Sequence, residues 1–106
     1  MRRSIVGILA VTGLVLAGRL ALAHSAICTC FLDKGDTVTC EGGFSDGSSA
    51  TGVALRVLDA NDKLLVDGKM DKEGTFTFKK PTGEYHVVFD AGQGHVVTID
   101  GGDITE

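Results

Sequence analysis

GEYHVVFDAGQGH, Gly83 to His95, decides the fold class. Tyr85, Val87 and Phe89 alternate with His86, Val88 and Asp90, the period-two pattern of a strand that buries one face. Gly92 and Gly94 then mark a turn. A strand of this kind needs neighbours, and the same pattern recurs along the chain. Val53, Leu55 and Val57 alternate with Ala54, Arg56 and Leu58, and Phe76 and Phe78 alternate with threonines. No apolar stripe of helical period occurs after residue 23. Strands are expected at Ile27 to Leu32, Thr37 to Glu41, Gly52 to Asp59, Lys63 to Met70, Gly74 to Lys80, Glu84 to Asp90 and His95 to Asp100. Turn signals such as Lys34-Gly35, Ala60-Asn61-Asp62 and Pro81-Thr82-Gly83 separate them, and Gly42 to Thr51, rich in Gly and Ser, reads as a loop. The expected fold is all-β: a small seven-stranded antiparallel β-sandwich, transthyretin-like or Ig-like, without repeat, linker or second domain.

The first 23 residues have another character. A cationic MRR start, an apolar run from Ile5 to Ala17 and the AxA signal Ala21-Leu22-Ala23 read as a secretory signal peptide cut after Ala23. A membrane anchor would need about 20 apolar residues, and this run is interrupted sooner by Gly18 and Arg19. The expected domain is therefore 24–106, periplasmic or extracellular and not membrane-spanning. Removing Arg2, Arg3 and Arg19 from the 10 basic residues leaves 7 against 14 acidic ones, a formal charge of −7. That sign argues against nucleic acid and anionic lipid as partners and suits cations.

Two stretches, FSDGSSATGVALRVLD and GKMDKEGTFTFKKPTGEYHVVFDAGQGH, carry a family resemblance. The turn Phe44 to Gly47, the hairpin Met70 to Phe78 and the segment Gly83 to His95 together resemble the transthyretin-like, carboxypeptidase-regulatory-like β-sandwich. More narrowly, the chain looks like the small exported domains that accompany nickel and cobalt uptake transporters. The resemblance implies a non-enzymatic accessory that binds a transition-metal ion (Ni, Co or Cu) or helps a membrane metal-uptake transporter capture one. Met70 stands where that pattern has Thr, Tyr85 often has Trp as its counterpart, and the CxC segment lies outside it.

The residues themselves suggest where a metal would sit. With Ala91 to Gly94 as a tight loop, Asp90 and His95 are expected to face each other, the carboxylate holding one ring nitrogen and leaving the other free. The alternative is a glycine turn whose Asp and His satisfy local backbone groups. His24, if processing makes it the first residue, offers an α-amine and a ring nitrogen to one ion, a chelate suited to copper or nickel; otherwise it belongs to a tail. His86 is expected to be an exposed strand residue far from His95 along the strand. Metal candidates are thus His95, Asp90 and His24.

Cys28, Cys30 and Cys40 complete the inventory. Cys28 and Cys30 share a strand face, and a three-residue loop at Lys34 to Asp36 sets Cys40 opposite Cys30 and Val38 opposite Leu32, an apolar face turned to the core. Export makes a disulfide between Cys40 and one of the CxC pair the expected outcome, with one thiol left over. Three thiolates with His24 as a Cys₃His metal cluster is the other reading. No GxSxG, HExxH or phosphate-binding glycine loop is present, so no enzyme is expected. The competing function is a structural or partner-binding module of the cell envelope that uses strand edges and the spare cysteine; thiol-redox chemistry through CxC is a third.

Overall fold

A computed structural model describes residues 24–106; the leader expectation falls on residues 1–23, outside them. Seven strands are formed: β1 (Ala26–Asp33), β2 (Thr37–Phe44), β3 (Ala54–Asp59), β4 (Leu64–Lys69), β5 (Thr75–Lys79), β6 (Tyr85–Asp90) and β7 (Val96–Asp100), followed by a short 3₁₀ turn at Gly101–Asp103. They make two antiparallel sheets, ordered β1-β2-β5 and β4-β3-β6-β7. The inward faces follow from residue parity. Val38 and Cys40 on β2, Leu55 and Val57 on β3, and Val87 and Phe89 on β6 are all fully buried, with Phe78 from β5 closing the core. No helix among the described residues is long and apolar enough to cross a membrane.

Reciprocal aromatic contacts bring the sheets together. A Cβ at Gly42 on β2 would lie 2.5 Å from Cε1 of Phe89 on the opposite sheet, and one at Gly68 on β4 would overlap the ring of Phe76 on β5. Each sheet thus supplies an aromatic ring that fills the space above a glycine of the other. At the C-terminal end the ring of Tyr85 packs on Gly101, where a Cβ would come within 2.7 Å of Cδ1. The Tyr85 hydroxyl is buried without a protein partner among the described residues, and desolvation raises its pKa.

Most strand ends differ from the expected ones by one to three residues, and two of these differences bear on the packing and the site. β2 continues through Gly42 and Gly43 to Phe44, where a loop was expected from Gly42. Gly42 is there for packing under Phe89, and a bridge between Gly43 and Ser49 folds the following loop back. At the other end, β7 begins at Val96 and His95 remains in the loop.

The β1–β2 register places Cys30 opposite Cys40 and Leu32 opposite Val38, as the three-residue hairpin loop requires. Cys30 and Cys40 form a disulfide with Cα atoms 4.0 Å apart, and Cys28 is a free, buried cysteine. Leu32 donates its N–H away from β2, to the carbonyl of Thr105. The Leu32–Val38 pair is therefore non-hydrogen-bonded, and by alternation so are Cys30–Cys40 and Cys28–Gly42, the closer type of cross-strand pair. The leftover sulfur is Cys28 because its partner across the ladder is Gly42, not a cysteine. Burial pushes its thiol up to about 11, so it is protonated and unreactive at neutral pH.

Two outcomes follow for the purified protein. A thiol-specific reagent should modify no thiol in the folded chain and a single one after unfolding without reductant; a fast-reacting thiol in the native state would contradict the arrangement. Gly42→Ala should destabilise the domain by about 1 to 3 kcal/mol through overpacking against Phe89, read as a lower denaturant midpoint with an unchanged slope.

Candidate functional site

The strand register carries both chain segments of interest to one end of the sandwich. β1 pairs with β2 up to Ala26 opposite Phe44, and the ladder runs one residue further. Ser45 donates its N–H to the carbonyl of Ser25 at 2.9 Å, and Ser25 donates its own to Oγ of Ser45 at 2.8 Å. His24 is thereby held opposite Asp46, with Nδ1 3.9 Å from Oδ2. In parity His24 follows Ala26 and Cys28, so its ring turns toward the space between the sheets.

His95 arrives from the other sheet. Asp90 pairs with Val96, not with His95, and the loop is closed by Ala91 N–H to the His95 carbonyl and His95 N–H to the Gly92 carbonyl. This is one residue out of step with the expected facing pair, and a one-residue shift exchanges faces. Asp90 lies on the outer face, where it accepts a 2.7 Å bond from Nη2 of Arg56 and a 3.0 Å bond from the Gly92 N–H. Both donors hold its carboxyl below the usual carboxylate range, Arg56 foremost. His95 is on the inner side with Ala91, and its Nδ1 sits 3.2 Å from the carbonyl of Gln93. With that nitrogen protonated and donating to the carbonyl, Nε2 is the lone-pair nitrogen. The orienting task expected of Asp90 falls to a backbone carbonyl instead.

The two imidazoles meet. The rings of His24 and His95 stack at 5.3 Å between centroids with 23° between their planes. Phe44 forms the floor beneath both, at 6.0 Å from His24 and 6.5 Å from His95, edge-on in each case, and rests in turn on Phe89 at 6.4 Å. Asp46 closes one side. Its Oδ1 accepts from the Ser48 hydroxyl at 2.6 Å and the Ser48 N–H at 2.9 Å. These bonds, with a smaller contribution from His24, lower its pKa and keep it ionised beside the imidazoles.

Other candidates lie elsewhere. His86 sits at the start of β6, half-buried, with Nε2 3.2 Å from Oδ1 of Asp62, remote from the loop that ends the same strand. Cys28 faces the core, and Cys30 and Cys40 are joined, so a Cys₃His cluster is absent. No group of three or more His, Cys, Asp or Glu side chains is arranged to hold a metal among the described residues. Phe44 and Asp46, which the sequence places in the turn Phe44 to Gly47, were not among the transition-metal candidates. Arg56 was missed too, although Arg56 and Asp90 both occupy outward positions on the adjacent strands β3 and β6.

Comparison with protein-family models, with characterised proteins and with solved structures finds no match to this chain.

Asp90 gives the pH test of this geometry. A folded-state pKa below the unfolded value contributes stability that is present above the ordinary carboxylate range and lost as pH falls through the lowered value. Arg56→Ala should raise the Asp90 pKa toward the ordinary aspartate value and shift the onset of acid unfolding to higher pH. A carboxyl-carbon NMR titration of both proteins reads this directly, and identical Asp90 titrations would refute the pairing.

Proposed function

We propose that this chain is an exported, non-enzymatic, transthyretin-like domain that binds a transition-metal ion at the His24–His95 pair and assists its uptake across the cell envelope. The observation that carries the reading is the convergence of these two imidazoles, from the start of β1 and from the β6–β7 loop, on one aromatic floor. Neutral imidazole is a common ligand for Zn, Cu, Fe and Ni. The ionised carboxylate of Asp46 adds favourable potential for a cation. In this reading Asp90 shapes the loop that presents His95 and does not itself bind the ion. The acidic charge of residues 24–106 favours capture of a cation, and the resemblance to exported domains of nickel and cobalt uptake implies a metal-uptake transporter as partner. Residues 1–23, read as a signal peptide, place the domain outside the cytoplasm in the same proposal, and the Cys30–Cys40 disulfide agrees with an oxidising compartment.

A second reading has its own support. Ile27 and Phe31 project from the outer face of the edge strand β1, and Val96 from that of β7, all exposed. A structural module of the envelope that docks through these edges needs no metal.

Calorimetric titration of the domain with Ni²⁺, Co²⁺ and Cu²⁺ separates the two. The metal reading predicts saturable binding of at least one ion, weakened at least tenfold, about 1.4 kcal/mol, by His95→Ala and unaffected by His86→Ala. Absence of binding for all three ions would leave only the structural module.

A further inference from the structure

We propose that His24 and His95 form a three-nitrogen Cu²⁺ site whose third donor is the α-amine of His24, so that the site comes into existence when the chain is cut between Ala23 and His24. The proposal rests on the metal-binding reading above and specifies its ligands, its ion and its control. Two imidazoles alone make a weak site, and no third side chain of suitable type completes a cluster among the described residues. A main-chain nitrogen does. In an amino-terminal histidine, the α-amine and Nδ1 close a six-membered chelate ring with a metal, and Nδ1 is the atom of His24 that faces Asp46.

The surroundings fit an ion at that place. Nδ1 of His24 and Oδ2 of Asp46 are 3.9 Å apart, too far for a hydrogen bond, so the ionised carboxylate lies beside the imidazole without engaging its nitrogen. His95 offers Nε2, because its Nδ1 is engaged by the Gln93 carbonyl, the backbone contact that commonly orients a metal-bound imidazole. Coordination turns the exposed His24 ring so that Nδ1 and Nε2 of His95 point at one ion. Ser25 is held on both sides of its peptide by Ser45, which places the residue before it and keeps the amine near the rings.

The donor set selects the ion. One amine, two imidazoles and an optional carboxylate suit the tetragonal geometry of Cu²⁺, which also stands highest among the divalent first-row ions in affinity for nitrogen ligands. Thiolates that would favour Cu⁺ are withheld, since Cys28 is buried and the other two cysteines are paired. Before the cut the same nitrogen is an amide, which carries no available lone pair at neutral pH. The uncut chain has two imidazoles and no chelate.

The test uses two versions of the 24–106 chain, one with a free α-amine at His24 and one in which that amine is acetylated, each loaded with one equivalent of CuSO₄ near neutral pH. The free-amine chain should bind Cu²⁺ at least about 100-fold tighter, by competition with a chelator of known affinity, and its electron paramagnetic resonance spectrum should show three nitrogens in the copper plane. His95→Ala, with folding checked by circular dichroism, should reduce that count to two. Equal Cu²⁺ affinity in the free and acetylated chains would overturn the amine's role while leaving the metal reading intact. Tighter binding of Ni²⁺ than of Cu²⁺ would overturn the choice of ion, and failure of both chains to bind Cu²⁺, Ni²⁺ or Co²⁺ would remove the metal reading itself.

Discussion

The ring of Phe89 occupies the space that a side chain at position 42 would need, and much of the molecule follows from that contact. Phe89 belongs to β6 in one sheet and Gly42 to β2 in the other, so the contact sets how closely the sheets approach near the site end of the sandwich. It also supports Phe44, two residues further along the same inward face of β2, whose ring rests on Phe89. Phe44 is the floor under both His24 and His95. A change at Gly42 is therefore felt in the core and at the histidine pair together, because tightly packed interiors transmit displacement rather than absorb it.

The same end of the sandwich separates two acidic residues with different tasks. Asp90 is on the outer face, bound to Arg56 and to the loop backbone, and stabilises the turn that carries His95. Asp46 is on the site side, bound to Ser48, and stays ionised where a cation would approach. Their separation comes from parity and loop length, not from residue type. Ala91 to His95 form a five-residue connection between Asp90 and Val96, so His95 has the inner face and Asp90 the outer.

The fold was largely legible in the sequence because half-buried strands write their burial as alternation, and Tyr85, Val87 and Phe89 or Leu55 and Val57 leave no helical alternative. The Cys30–Cys40 register was legible for a related reason: an apolar face of Cys28, Cys30, Leu32, Val38 and Cys40 is compatible with only one short hairpin loop. What alternation does not encode is a glycine used for packing. Gly42 reads as a loop residue until the ring that covers it is known, and that ring belongs to a strand far away in sequence. The site was half legible. His24 and His95 were each recognisable as candidate ligands, but their meeting depends on which face His95 occupies, and a one-residue difference in loop register reverses that assignment. Asp46 lies in the expected turn Phe44 to Gly47, and only the β1–β2 register shows that this turn stands beside His24.

The site depends on His24 and His95 being held side by side on Phe44, and ring-proton nuclear Overhauser effects measure that in solution without any added metal. With residues 24–106 selectively labelled at histidine and phenylalanine, cross-peaks are predicted between the ring protons of His24 and His95 and from both to Phe44, and Phe44→Ala should abolish the histidine–histidine peak. Sharp, well-resolved signals for both histidines with no cross-peak between them would contradict the account.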